Sequence, residues 1–247
     1  MFEMPDSTTS LQIATLLGFA QVSKDAVTDI VKRLLGPLAD RAGDALANSL
    51  FPDRAKRVAE VLTESVRMIT DAGMQPQAVP GRILMPILEH VSWEEDDALR
   101  KRWASLLANA GSLGPANKVL PAYVEILRQL TPDQAAILDW MYLQKTPSLT
   151  NHWPDFERKV IEQTFSLSPS DYALLVTDLA RLQLVEGRRA SVPSPRMTLE
   201  NFDDVMETVI ETLNERSHYQ MINFTSLGVH FMAACTPPLA ERSVSTT

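Results

Sequence analysis

Residues 92–110 read "SWEEDDALRKRWASLLANA": four consecutive carboxylates, then three bases, then a run of small and apolar side chains. The cluster is either a metal or acid/base site or the ordered start of a helix. The helix explains more of it. Ser92 is a good N-cap and Glu95 stands three residues on, so the pair can satisfy two backbone N–H groups that a first turn leaves unpaired. Acids in that turn also face the positive end of the helix dipole, each worth about 0.3–1 kcal/mol. Asp96 with Arg100, and Asp97 with Lys101, have the i,i+4 order that supports a helix. Leu99, Trp103, Leu106, Leu107 and Ala110 then form the expected buried stripe. Asp96 lies one turn before Leu99 on that face and is the one acid a surface helix start does not explain. Its expected partners are Arg82 or Arg100, and it stands as the candidate functional acid. A metal reading would recruit Glu89, His90 and Glu94, but their spacing crosses an expected helix break, so no metal site is expected.

Working outward, the same helical periodicity recurs between Pro- and Gly-rich breaks. Leu11 to Leu50 suggests two amphipathic helices interrupted at Gly36 and Pro37. "FPDRAKRVAEVLTESVRMITDAGM" starts at Pro52 and Asp53, keeps Val58, Val61, Leu62 and Ile69 on one stripe, and stops at Gly73. "QPQAVPGRILMPILEHV" is helical around Pro86, which is expected to kink or restart it. "AYVEILRQL" places Tyr123, Ile126, Leu127 and Leu130 on one side. Thr131, Pro132 and Gln134 form a capping-box start. Two further helices follow, "WPDFERKVIEQTF" and a stretch from Ser168 and Pro169 to Gly187. "YQMINF" is strand-like and "TSLGVHFMAAC" a last helix. Three helices, an extended return and a helix is the order of a winged-helix module. An insertion at about 188–218 separates its wing strands and carries its own apolar stripe, Phe202, Val205, Met206, Val209 and Leu213.

The 247 residues carry a net charge of −8, with 45% hydrophobic and 22% charged residues, ordinary for a globular chain and opposed to general affinity for nucleic acid or anionic lipid. A single cysteine, Cys235, excludes an intrachain disulfide and fits a reducing compartment. Met1 to Ser10 is polar and lacks the pattern of a secretory signal, so a cytoplasmic location is expected. The apolar run Leu11 to Val22 falls short of the roughly 20 residues of a spanning helix.

Enzyme chemistry finds little equipment. His90, His152, His218 and His230 are scattered, Cys235 sits in the apolar "FMAAC", and no nucleophile elbow, phosphate-binding loop or dinucleotide fingerprint is present. No catalytic residue, cofactor or small-molecule substrate is expected. For nucleic acid, the third helix of the module would turn Ser170, Ala173, Leu174, Thr177 and Arg181 outward, a face with one base. Residues 131–236 hold 14 acids against 8 bases. Only Arg188, Arg189 and Arg196 offer a candidate nucleic-acid contact.

The stretch "VPGRILMPILEHVSWEEDDALRKRWASLLANA" followed by "LPAYVEILRQLTPDQAAIL" resembles the Abi-alpha family, bacterial proteins named for an association with abortive phage infection. The shared pattern is a proline-led helix, an acidic helix start, W-x-x-L-L-A-N-A, then P-x-Y-x-x-I-L-x-x-L-T-P. It covers about Val79 to Leu138 clearly, and the preceding helical stretch and "FTSLGVHFMAAC" more loosely. The resemblance implies an intracellular role in antiviral defence and brings no catalytic group with it.

The expected architecture is mainly α: a helical N-terminal and central region over 1–130, then a winged-helix-like module with a small β-hairpin over 131–247. The expected function is non-enzymatic antiviral defence by protein recognition or assembly. The apolar residues Leu16, Leu17, Phe19, Ile30 and Leu34 form its candidate interaction face, with self-association favoured. The alternatives are a nucleic-acid-binding regulator using the arginine loop, and an effector whose N-terminal helices engage a membrane surface. Against the latter, Leu11 to Leu50 balances four bases with four acids and so lacks a cationic face.

Overall fold

The computed structural model describes residues 32–36, 52–112, 119–144, 153–188 and 219–238. They are mostly helical, with one small three-stranded antiparallel sheet. The chain divides into two compact units, Met1–Leu130 with Ala233–Thr247, and Thr131–Met232.

The first unit contains α1 (Pro52–Asp71), α2 (Gly81–Trp93), α3 (Asp97–Ala110) and α4 (Pro121–Leu127). Helix α3 packs most extensively on α1, and α2 packs on α1, α3 and α4. The expected stripe of α3 is buried, but so is every residue from Arg102 to Ala110. Small side chains make this possible, because Ala104, Ser105 and Ala108 let neighbouring backbones come close. The Ser65 hydroxyl on α1 sits 2.7 Å from the Val61 carbonyl and 3.0 Å from the Ala104 carbonyl of α3. Asn109 closes the other end: its amide nitrogen donates to the carbonyls of Ala234, the last residue of a helix, and of Thr236 just beyond it, both at 2.8 Å.

Leu34 and Leu35 are fully buried, and the Leu34 carbonyl accepts from the Val79 N–H at 2.9 Å. Gly111 makes room for this contact, since a Cβ there would lie 2.2 Å from Leu34. The rest of Leu11 to Leu50 lies outside the described residues.

The second unit contains α5 (Pro132–Leu143), β1 (Phe156–Glu157), α6 (Arg158–Phe165), α7 (Pro169–Arg181), β2 (Val185–Arg188), β3 (Met221–Phe224) and most of α8 (Ser226–Ala234). The capping box of α5 forms in both directions, with Gln134 N–H to Thr131 Oγ1 at 3.3 Å and Thr131 N–H to Gln134 Oε1 at 2.9 Å. Strand β3 lies between β1 and β2, Phe156 opposite Ile222 and Gly187 opposite that same residue on the other side. Tyr142 stacks on Trp153 with ring centres 5.1 Å apart, and Phe224 of β3 meets both rings edge-on.

Three expectations change. Helix α2 does not restart at Pro86 but continues through it to Trp93, because its packed face, Ile83, Leu84, Ile87 and Val91, outweighs the one hydrogen bond the proline removes. The helix expected from Trp153 begins only at Arg158, since Phe156 and Glu157 are drawn into pairing with β3. The helix expected to reach Gly187 ends at Arg181: Gln183 takes a left-handed φ of 60°, and residues 185–188 become a strand, so Gly187 is a sheet residue and not a helix stop. The insertion, from residue 189 onward, lies outside the described residues.

Trp103, 1% exposed and stacked 6.0 Å from the His90 ring, is the largest side chain in the first core. Trp103→Ala is expected to destabilise the first unit by about 3–5 kcal/mol in urea unfolding, through the cavity it leaves. A second test concerns Asp178, which accepts from Gln134 at 2.9 Å and from Arg181 at 2.7 Å. Burial works against its charge, but those hydrogen bonds outweigh it and hold the carboxyl below its ordinary 3.8. Folding favours the ionised form, so the stabilisation is present above that pH and lost as pH falls below it. The acid limb of the stability curve should therefore flatten in Asp178→Asn, and an unchanged limb would refute the assignment.

Candidate functional site

The acidic cluster lies in the turn between α2 and α3, and its parts have separate duties. The N-cap of α3 is Asp96, whose Oδ1 accepts from the Leu99 N–H at 2.8 Å, while its own N–H donates to Glu94 Oε1 at 3.0 Å. Ser92, expected as the cap, belongs to the last turn of α2 and donates to the Glu89 carbonyl at 2.7 Å. Two good capping residues stand four apart here, and α2 continues far enough to use up the first. Arg100 does not take Asp96 as its ion-pair partner. It bonds Asp97, lies 3.8 Å from Glu60, and donates to the carbonyls of Glu94 and Glu95 at 3.2 and 2.9 Å.

The start of α1 reaches the same turn from another side. Arg57 donates to the Ser92 carbonyl at 3.2 Å and lies 3.4 Å from Glu95. Arg54 lays its guanidinium 3.1 Å from the centre of the Trp93 ring. Trp93 is 60% exposed, and Met85, two turns earlier on α2, is 51% exposed. Sequence reasoning missed this pair because it expected a kink or restart at Pro86 and a new helix at Ser92. Joined into one helix, Arg82, Met85, Glu89 and Trp93 recur at steps of three, four and four residues and form one exposed stripe, opposite the buried face of α2. Trp and Arg are the residues that most often dominate protein-binding energies.

Beside the turn, Glu60, Glu64, Asp97, Arg100 and Lys101 line a cleft of about 290 Å³ floored by Val61. Its charges largely answer one another. A hydrogen bond from Arg67, itself 2.5 Å from Glu64, holds the Glu64 carboxyl below its ordinary value. Among the described residues there is no group of three or more His, Cys, Asp or Glu placed to hold a metal ion, and no helix long and apolar enough to cross a membrane.

The other candidates are dispersed. On α7, Ser170, Leu174, Thr177 and Arg181 are exposed, Leu174 by 72%, while Tyr172, Val176 and Leu179 face the core. The one base of that face is engaged by Asp178. The backbone of Arg188 pairs with Met221 in the sheet, and Arg189 and Arg196 lie outside the described residues. Leu34 of the expected N-terminal face is covered within its own chain, and Leu16, Leu17, Phe19 and Ile30 lie outside the described residues. Cys235 is buried, close enough to Tyr123 that its charge adds to burial in pushing that phenol up.

A family model described as "Abortive infection alpha" matches residues 53–235. No curated protein and no solved structure matches the chain.

The capping role of Asp96 has a direct test. Asp96→Ala is expected to cost about 0.5–2 kcal/mol, whereas Asp96→Asn, which can still accept from the Leu99 N–H, should stay within a few tenths of wild type. Equal losses in both variants would point to a role that needs the negative charge.

Proposed function

Because the chain belongs to the abortive infection alpha family, we propose that it is a phage-defence protein that works by recognising and assembling with protein partners, not by turning over a substrate. The observation that carries this reading is the α2 face: a 60% exposed tryptophan seated against Arg54, with Met85 along the same stripe. A large aromatic costs little side-chain entropy when it is covered, and a guanidinium already stacked on it pre-organises the contact. Chemistry would call for groups of shifted acidity free to face a cavity, whereas Glu64, the shifted carboxyl of the adjoining cleft, is held by Arg67. The arginines and carboxylates of the α2–α3 turn instead satisfy one another and the backbone.

The order α5, β1, α6, α7, β2, β3 supports the winged-helix reading of the second unit. Its outward α7 face is neutral and carries an exposed leucine, which favours protein contact over phosphate contact. Within this reading the second unit is a further docking module and not a reader of DNA.

Trp93→Ala in a bacterial strain that carries the chain, challenged with phage, tests the proposal. Plating efficiency should rise toward that of an unprotected strain while the purified variant melts within about 0.5 kcal/mol of wild type, as surface substitutions do. Full protection by a stably folded variant would sink the reading.

A further inference from the structure

Helix α2 carries two charges that its own sequence leaves without neighbours. Arg82 has no acid three or four residues away in the helix, and Glu89 has Met85, Pro86, Ser92 and Trp93 at those positions. Both are exposed, and neither has an ion pair among the described residues. They stand seven residues apart, about 10.5 Å along the axis and almost directly in line. With Met85 and Trp93 they occupy about 80° of the helix circumference. The face thus reads basic, apolar, acidic, apolar from one end to the other, and it is opposite in charge to itself when reversed.

We propose that this face docks a second copy of the chain, α2 against α2, antiparallel about a two-fold axis that passes between positions 85 and 86. That register sets Arg82 against the partner's Glu89 and Glu89 against the partner's Arg82. Met85 meets the partner's Pro86 at the centre, and Trp93 reaches past the start of the opposite helix toward the partner's Ala78 and the partner's Pro80. Ala78 and Pro80 are exposed in this chain and so are open to such a contact. A two-fold interface requires this reciprocity, in which residue i meets j and j meets i. Charge selects the arrangement. Parallel packing would set Arg82 on the partner's Arg82 and Glu89 on the partner's Glu89, and an antiparallel register centred on position 89 would oppose the two glutamates. The proposal rests on reading the α2 face as a recognition surface, and it moves the site of self-association from the N-terminal leucines to α2.

The experiment is sedimentation velocity on the full chain in the high micromolar range, since a single helix pair is a small contact, at low salt and then at high salt. Wild type should sediment as a dimer that weakens with salt. R82E alone and E89R alone each replace two opposite-charge contacts with two like-charge contacts and should weaken the dimer by roughly tenfold or more. An equimolar mixture of the two single variants restores both pairings and should dimerise again, as should the double variant R82E/E89R; this recovery also establishes that each variant is folded. A monomeric wild type, single variants that dimerise like wild type, or a mixture that stays monomeric would each overturn the proposal. Loss of phage protection in Trp93→Ala alongside a monomeric wild type would remove the second copy as the occupant and leave the recognition face standing. Intact protection alongside a charge-dependent dimer would remove the recognition reading and leave the contact.

Discussion

The approach of α1 to α3 sets the terms for the first unit. Ser65 can place its hydroxyl 3.0 Å from the Ala104 carbonyl only because the residues between the two helices are small. Once the backbones are that close, α3 is enclosed along its whole later length, and its polar side chains must turn inward for partners, which the Trp103 Nε1 does not find among the described residues. Asn109 finds them in backbone carbonyls, and the Ser105 hydroxyl finds one in the Lys101 carbonyl at 3.0 Å. The pattern W-x-x-L-L-A-N-A therefore divides its labour: bulk at Trp103, Leu106 and Leu107, closeness at Ala104 and Ala108, and polar closure at Asn109.

Helix existence was legible wherever apolar spacing and a capping residue agreed. Val58, Val61, Leu62 and Ile69 on α1, and the Thr131–Gln134 box on α5, are local signals that packing reinforces. What failed were boundaries where two local signals competed. Ser92 and Asp96 both cap well, and only the packing of Val91 against the core decides that α2 outlasts the first. Phe156 and Glu157 look like the entry to a helix until a strand more than sixty residues away pairs with them. Gly187 looks like a helix stop until that same strand claims it. Long-range pairing carries no mark in a local window.

The same boundary error hid the exposed face of α2. The stripe Arg82, Met85, Glu89 and Trp93 was present in the sequence but fell across an expected kink or restart at Pro86 and an expected helix start at Ser92. The carboxylates, the chemically conspicuous residues, are occupied with capping and ion pairing at the α2–α3 turn. Charges that lack neighbours at helical spacing are a quieter signal than charges in a run, and on α2 they are the more informative one. Family membership points to phage defence.

The clasp of Asn109 on Ala234 and Thr236 has a consequence for the order of events during synthesis. The first unit is not contiguous in the chain: residues 131–232 are made between its main body and the segment that its buried amide holds. Domains usually fold as they leave the ribosome, earliest first. Here the earlier body is made before the carbonyls of Ala234 and Thr236 that Asn109 bonds in the complete chain, and those follow only after the whole second unit. A nascent chain halted anywhere in residues 131–232 would carry a complete α3 with its lock open, so the closing of the first unit reports that the second has been translated in full.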